Sequence, residues 1–171
     1  MKIHFTDFFE VAPATLEAYG AFNVSLINDL PLFIDPFLLF GSSNPDYQRQ
    51  HQEILKYLTF LRDRALEGPM SKGELESWYS FSEVKQNWLG YSKQGNSGQG
   101  LGPLFGKAMS ASITVVFDDL GKEVIPSSSH LEKVGLFQMG VGKDNISDFT
   151  TNLIKDFLLT YSQSFGQAHL A

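Results

Sequence analysis

An acid inside a strongly apolar run is the feature that most limits how this chain can fold. The run covers residues 23–40 and is rich in Leu, Ile and Phe, and Asp35 lies within it. An ionised carboxylate among buried apolar side chains is costly unless it is paired, hydrogen-bonded or bound to a metal. Pro36 cannot donate to a sheet ladder, so a strand over residues 32–34 is predicted to end at Asp35. Asp35 is therefore either a turn or capping residue, the commoner role for such an acid, or a functional group.

The composition limits the kinds of site that the chain can build. At 171 residues the simplest organisation is one domain, residues 1–171, that buries about 70% of its unfolded surface. The absence of cysteine excludes disulfides and thiolate zinc sites, and the four histidines show no short ligand spacing. A carboxylate site for Mg²⁺ or Mn²⁺ stays open.

The charge and hydropathy pattern favours a cytoplasmic protein. No signal peptide and no uncharged apolar stretch of about 18 residues are present. A net charge of −6 argues against a broad nucleic-acid surface, and no Lys or Arg lies between Lys2 and Arg49. The last residues follow an apolar helical face directly. The chain is therefore interpreted as a whole domain, as the N-terminal part of a longer protein or as one partner of a split pair.

The apolar periodicity predicts helices and a few short strands. The helices are predicted over residues 14–21, 46–67, 72–79, 104–120 and 144–169, and the strands over residues 2–5, 32–34, 82–91 and 131–137. His51 lies on the apolar stripe of the second helix and is expected to be a core residue. The predicted fold class is α+β, helix-dominant, with a few short strands packed against four or five helices.

The triplet Glu83-Val84-Lys85 suggests nuclease chemistry. In nucleases of the PD-(D/E)XK type, two acids bind Mg²⁺ and a lysine two residues after the second acid stabilises the attacking water. On a strand, Glu83 and Lys85 share one face. Asp35 and Glu83 would then be the metal ligands, and Asp35, Glu83 and Lys85 the catalytic residues. About one acid-x-Lys triplet is expected by chance in a chain of this composition.

A glycine-rich segment precedes the predicted helix at residue 104. Free amides at a helix N-terminus attract anions, so a phosphate contact is one interpretation of this segment. The phosphate-loop and dinucleotide spacings are both absent, which favours a flexible loop. The residues that would contact phosphate are Gly95, Asn96, Ser97, Gly98 and Gly100.

Two further sets of residues allow a functional interpretation. Asp144 and Asp148 lie one turn apart at the start of the last predicted helix, where the dipole alone favours acids. The alternative is a metal site shared with Glu132. Trp88 and Tyr91 lie beside the glycine segment, and a ligand-binding pocket there is a third functional hypothesis.

Several strings in the chain resemble a family of uncharacterised bacterial proteins, and the resemblance spans most of the chain. It implies no catalytic residue, because no activity is established for that family. Some of its members are similar to proteins from bacterial defence or mobile-element settings. The strings are LPLFIDPFLLF (residues 30–40), EVKQNWLGY (83–91), GNSGQGLG (95–102) and GKDNISDFTTNLIKDFL (142–158).

The sequence leads to two main functional hypotheses. The first is a divergent metal-dependent nuclease or phosphodiesterase, which requires the carboxylates of Asp35 and Glu83 within about 8 Å of each other. The second is a non-catalytic interaction or regulatory module of a larger assembly. It binds a protein partner or a second copy through the last helix, and it predicts an exposed apolar patch of several hundred Å² beside that helix. A nucleic-acid partner is the weaker expectation, and no membrane partner is expected.

Overall fold

Helices are the dominant regular secondary structure in the part of the chain that the structure describes. The structure is a computed structural model, and it describes residues 3–28, 30–85, 101–116 and 143–170. These residues form eight helices, which are α1 (Phe5–Phe9), α2 (Pro13–Tyr19), α3 (Pro36–Phe40), α4 (Pro45–Leu66), α5 (Lys72–Trp78), α6 (Pro103–Val116), α7 (Lys143–Leu153) and α8 (Lys155–His169).

Short local signals set most of the helix boundaries. Proline is the first residue of α2, α3, α4 and α6, where its missing N–H costs nothing. The Asn44 side chain caps α4 by accepting from the Asp46 N–H at 2.8 Å. Ser71 and Glu74 form a capping box at α5. The predicted helices over residues 14–21, 46–67, 72–79 and 104–120 correspond to α2, α4, α5 and α6, the last as far as residue 116.

The α+β prediction is wrong. Within the described ranges the only β contacts are two isolated bridges, His4 with Ser25 and Phe81 with Leu101. The predicted strand over residues 2–5 runs instead into α1, and the predicted strand over 82–91 is irregular as far as residue 85. The predicted strand over 131–137 lies outside the described residues.

Side chains take the place of a sheet partner in the extended segments. In a sheet, the Ile34 N–H would donate to a carbonyl of a neighbouring strand. Here it donates to the Ser147 hydroxyl of α7 at 2.9 Å. The Asn152 amide of α7 donates to the Ser82 carbonyl at 2.8 Å. Backbone groups removed from water need a partner, and the Ser147 side chain of α7 supplies one to the part-buried Ile34 N–H. The extended residues therefore lie against a helix rather than in a sheet.

The predicted single helix over residues 144–169 is two helices. Ile154 separates α7 from α8 with φ −106° and ψ 16°, although the Ile154 N–H still donates to Thr150 and its carbonyl still accepts from Leu158. Ser147 lies inside α7 and is buried.

The core forms where α4, α6 and α7 meet. The stripe of α4 buries Ile54, Leu58 and Leu61, together with His51 at its edge against the Phe40 ring. The facing stripe of α6 buries Phe105, Met109 and Ile113. Phe149 of α7 is fully buried, and its ring centroid lies 4.3 Å from that of Phe81 and 6.4 Å from that of Phe105.

The corner between α4 and α5 is held by tyrosine hydroxyls. The Tyr57 hydroxyl donates to the Trp78 carbonyl at 2.8 Å, and the hydroxyl of the fully buried Tyr79 donates to the Leu61 carbonyl. The Arg64 guanidinium lies 5.3 Å from the centre of the Trp78 ring. The end of α5 is thereby fixed against the C-terminal half of α4.

Substituting Gly106 tests how closely α6 approaches this corner. A Cβ at residue 106 would lie 2.9 Å from the Tyr79 carbonyl oxygen, a backbone atom that cannot rotate away. We expect Gly106→Ala to lower the free energy of unfolding by about 1–3 kcal/mol. Gly73→Ala is the matched control, because nothing lies within 4 Å of its added Cβ and helical alanine is favoured by up to about 1 kcal/mol. Urea denaturation of both variants measures the difference, and equal stabilities would contradict the close contact.

The burial of the Tyr79 phenol leads us to expect a loss of stability at alkaline pH. Burial raises the pKa of Tyr79 from 10.0 to about 12. The phenol is neutral in both states below pH 10, and between pH 10 and 12 only the unfolded state ionises. The stability that Tyr79 contributes is thus complete below pH 10 and falls by roughly 2–3 kcal/mol as the pH rises to 12.

Tyr79→Phe supplies the comparison for this pH dependence. The variant loses the hydrogen bond to Leu61, worth about 1 kcal/mol, at every pH. Its stability should then fall less steeply than that of the wild type between pH 10 and 11.5, as measured by urea denaturation. If the free energies of unfolding of the two proteins fall in parallel as the pH rises, the folded state does not keep the Tyr79 phenol neutral.

Candidate functional site

Asp35 has a structural role that explains its place in the apolar run. It is the N-cap of α3, and its Oδ1 accepts from the Phe37 N–H at 2.9 Å. The carboxylate is exposed, while Pro36 and Leu39 of the same run point inward. The cost of burying an acid is therefore avoided by a helix start at Pro36.

Glu83 and Lys85 lie in an irregular segment after the Phe81 bridge. Glu83 is half-buried and Lys85 is exposed. The strand that would have aligned the two side chains on one face does not form over residues 82–85. The alignment on which the nuclease hypothesis depended is therefore missing.

The segments that precede the two predicted metal ligands contact the same helix, α7, on different sides. The segment before Asp35 contacts α7 at Ser147, and the segment before Glu83 contacts α7 at Asn152. Residues five apart on a helix are separated by about 7.5 Å along the axis and about 140° around it. Among the described residues no group of three or more His, Asp or Glu side chains has a metal-binding arrangement.

The other predicted site residues fall largely outside the described part of the chain. This applies to the predicted phosphate-contact residues Gly95, Asn96, Ser97, Gly98 and Gly100, to Trp88 and Tyr91, and to Glu132. The hypotheses that involve these residues stay predictions.

A second candidate site is a lobe formed by the N-terminal segment on the end of α8. Val11 and Leu16 pack against Phe165, and Tyr19 lies beside them. The Tyr19 hydroxyl donates to the Tyr161 carbonyl at 2.9 Å, and the Tyr161 hydroxyl donates back to the Tyr19 carbonyl. Burial raises the pKa of Tyr161, which favours the neutral hydroxyl that donates this hydrogen bond. The part of α8 around Tyr161 and Phe165 is thus covered by residues of the same chain.

The helix α1 is tied to this lobe through its backbone. The Phe5 N–H donates to the Val24 carbonyl at 2.9 Å, and the Asn23 side chain exchanges two hydrogen bonds with Thr6, of 3.1 and 2.8 Å. The Asp7 carboxylate accepts from the His4 N–H at 2.9 Å and so closes the first turn. A five-residue helix is too short to be stable alone, and these bonds hold it in place.

An exposed pair of rings completes the lobe. The Phe5 ring lies 6.0 Å from Phe165 and 4.5 Å from Phe9, and Phe9 lies 4.9 Å from Phe8. Phe8 is 66% exposed and Phe9 is 42% exposed. We call Phe5, Phe8 and Phe9 the aromatic patch. It extends from the buried Phe165 outward to the surface, beside the last helix.

The aromatic patch was not predicted as a site from the sequence. The alternation over residues 2–5 indicated an edge strand, and that interpretation stopped short of residues 8 and 9. The available signal was the helical spacing of Phe5 and Phe9 with Asp7 in the first turn. That spacing places two rings on one side of a short helix.

Comparison with sequence families identifies the chain at the level of its family. The model of a family described as a domain of unknown function (DUF8370) matches residues 10–170. The chain belongs to this family. No curated protein and no solved structure shows a significant match to the chain.

The DUF8370 match covers α2 to α8 and begins just after α1. The covered face of α8 and its partner α2 therefore lie within the family region, and the aromatic patch precedes it. No helix among the described residues combines the length and the apolar character needed to cross a membrane.

Substitutions at Asp35 separate the capping role from a metal-binding role. Asparagine caps a helix about as well as aspartate, whereas alanine does not. We expect Asp35→Ala to lower the free energy of unfolding by about 1 kcal/mol and Asp35→Asn to leave it within about 0.5 kcal/mol. Thermal unfolding should show this order both without and with millimolar Mn²⁺. A rise in Tm with Mn²⁺ in the wild type that both variants lose would instead restore the metal site.

Proposed function

We propose that this chain is a protein-interaction module and that the aromatic patch is its docking surface. The observation that carries the proposal is the exposure of Phe8 and Phe9 at the end of a packed series of rings. A side chain held on one side by other rings loses little further freedom when a partner covers its open face. Aromatic residues are enriched at protein interfaces, where a few side chains supply most of the binding energy.

The nuclease hypothesis has less support. Asp35 already accepts a hydrogen bond as a helix cap, and the segments of Asp35 and Glu83 contact different sides of α7. The family match names no activity. The cytoplasmic location and the link to defence or mobile elements stay predictions from the sequence.

A nucleic-acid partner also has little support in the described charges. The basic side chains of α4 and α5 lie beside acids on their own helices, or at the end of α4, and phosphate binding needs clustered cations. The pairs are Arg49 with Asp46, Lys56 with Glu53, Arg62 with Asp63, Arg64 with Glu67, and Lys72 with Glu76. The positive charges of these side chains are therefore balanced by neighbouring acids.

If the aromatic patch is a docking surface, the exposed ring of Phe8 is needed for a partner to bind. We expect Phe8→Ser to weaken binding at least tenfold, since losing a central aromatic anchor costs about 2 kcal/mol or more. The fold should persist, because substitution of a residue this exposed changes stability little. Wild type and variant are used to capture partners from the host, and each captured protein is then purified and its Kd measured by calorimetry.

Leu66→Ser is the matched control for this experiment. Leu66 is 67% exposed at the end of α4, so the substitution removes a similar apolar surface elsewhere. A purified partner that binds wild type and Leu66→Ser alike but not Phe8→Ser supports the proposal. The same Kd for all three proteins, or no partner that binds directly, contradicts it.

A further inference from the structure

We infer that the occupant of the aromatic patch is a short segment of another protein that carries apolar side chains together with Lys or Arg. The inference rests on the proposed function and specifies the partner of the same surface. It follows from the size of the patch, the charges that flank it and the backbone conformation of one flanking residue.

The exposed area of the patch fits a short segment better than a globular partner. A phenylalanine contributes on the order of 200 Å², so the exposed fractions of Phe8 and Phe9 amount to about 200 Å². A stable interface between globular proteins buries about 800 Å² on each partner. Two or three anchoring side chains of a peptide match the smaller area.

Among residues 3–28 the Asp, Glu, Lys and Arg side chains are all acidic, and the His4 Nδ1 lies 3.5 Å from the Asp7 Oδ2. Asp7 directly precedes Phe8, and Glu10 directly follows Phe9. Residues 3–28 also contain Glu17 and no Lys or Arg, and the part of α8 from Phe157 onward adds no Lys, Arg, Asp or Glu. Glu10 and Glu17 are exposed, and neither belongs to an ion pair among the described residues. A partner with Lys or Arg beside its apolar side chains is therefore complementary.

The same charges disfavour a second copy of this chain as the occupant. A two-fold dimer through the patch would place Asp7 and Glu10 of one copy near the same acids of the other. Like charges brought together at an interface oppose association. No Lys or Arg of residues 3–28 is available to offset this repulsion.

Glu10 has a backbone conformation that glycine normally adopts. It follows α1 with φ 53° and ψ 34°, in the left-handed region, and it is the one non-glycine residue with positive φ in the described part of the chain. The conformation strains the folded state, and an acid at a helix C-terminus also opposes the helix dipole. No ion pair among the described residues offsets these costs. An ion pair between the Glu10 carboxylate and a basic side chain of the partner would offset them.

Two designed peptides test the inference directly. One is an amphipathic Leu/Lys peptide and the other is the Leu/Glu peptide of the same length and apolar pattern. We expect wild type to bind the Leu/Lys peptide at low salt at least tenfold more tightly than the Leu/Glu peptide in fluorescence anisotropy. Because exposed charges are screened, this preference should shrink when the ionic strength is raised from about 0.05 to 0.5 M.

Charge-matched variants locate the binding site. Glu10→Gln with Glu17→Gln removes two acids from the lobe, and Glu53→Gln with Glu76→Gln removes two acids from α4 and α5. Both proteins have the same net charge, so general attraction of a cationic peptide affects them equally. We expect only the first pair to weaken binding of the Leu/Lys peptide, by about tenfold, and Phe8→Ser to abolish it.

Three results would overturn the inference. Equal binding of both peptides, still lost in Phe8→Ser, would show a docking surface that does not select charge and would leave the proposed function standing. Equal weakening by the two pairs of charge variants would show nonspecific attraction. The absence of peptide binding to wild type, with a dimer in sedimentation equilibrium that Phe8→Ser abolishes, would make a second copy the occupant.

The strain at Glu10 supplies an independent readout. Glu10→Gly relieves the left-handed conformation and is expected to raise the Tm while weakening binding of the Leu/Lys peptide. A higher Tm with unchanged binding would show that the glutamate has no role in recognition.

Discussion

The close approach of α6 to the end of α5 is the constraint on which the rest of the structure depends. Gly106 lets α6 lie directly against the Tyr79 backbone, and Tyr79 in turn bonds to Leu61 of α4. This places Phe105, Met109 and Ile113 opposite the α4 stripe and leaves room for Phe149 of α7 between them. Phe149 anchors α7 in the core, and Ser147 and Asn152 of the same helix contact the segments that precede Asp35 and Glu83.

Helices whose signals are local could be predicted from the sequence, and elements whose partners are distant could not. The stripe and cap of α4 and the capping box of α5 predict their own boundaries. The segment around Ile34 was predicted as a strand because apolar side chains before a proline are compatible with one. Its N–H is accepted by Ser147, 113 residues away, and no local pattern reveals such a partner. The α+β prediction failed for this reason.

In the candidate site, too, local features could be predicted from the sequence and contacts between distant residues could not. Asp35 was recognised as either a cap or a ligand, and the hydrogen bond from Phe37 shows that it caps α3. The aromatic patch depends on Phe5 reaching Phe165 on the last helix, which sequence spacing cannot predict. The sequence does show that Lys and Arg are absent from residues 3–28, and that absence acquires meaning once the lobe is known to expose two rings.

The reciprocal bonds between Tyr19 and Tyr161 join residues 142 positions apart, and this has a consequence for folding during synthesis. At about 5–20 residues per second, the partner of the N-terminal segment leaves the ribosome on the order of 10 s after that segment. Until then Phe5, Leu16 and Tyr19 have no α8 to cover them. Until α8 has emerged, the apolar side chains of the N-terminal segment are therefore open to chaperones, and Phe5 cannot pack against Phe165.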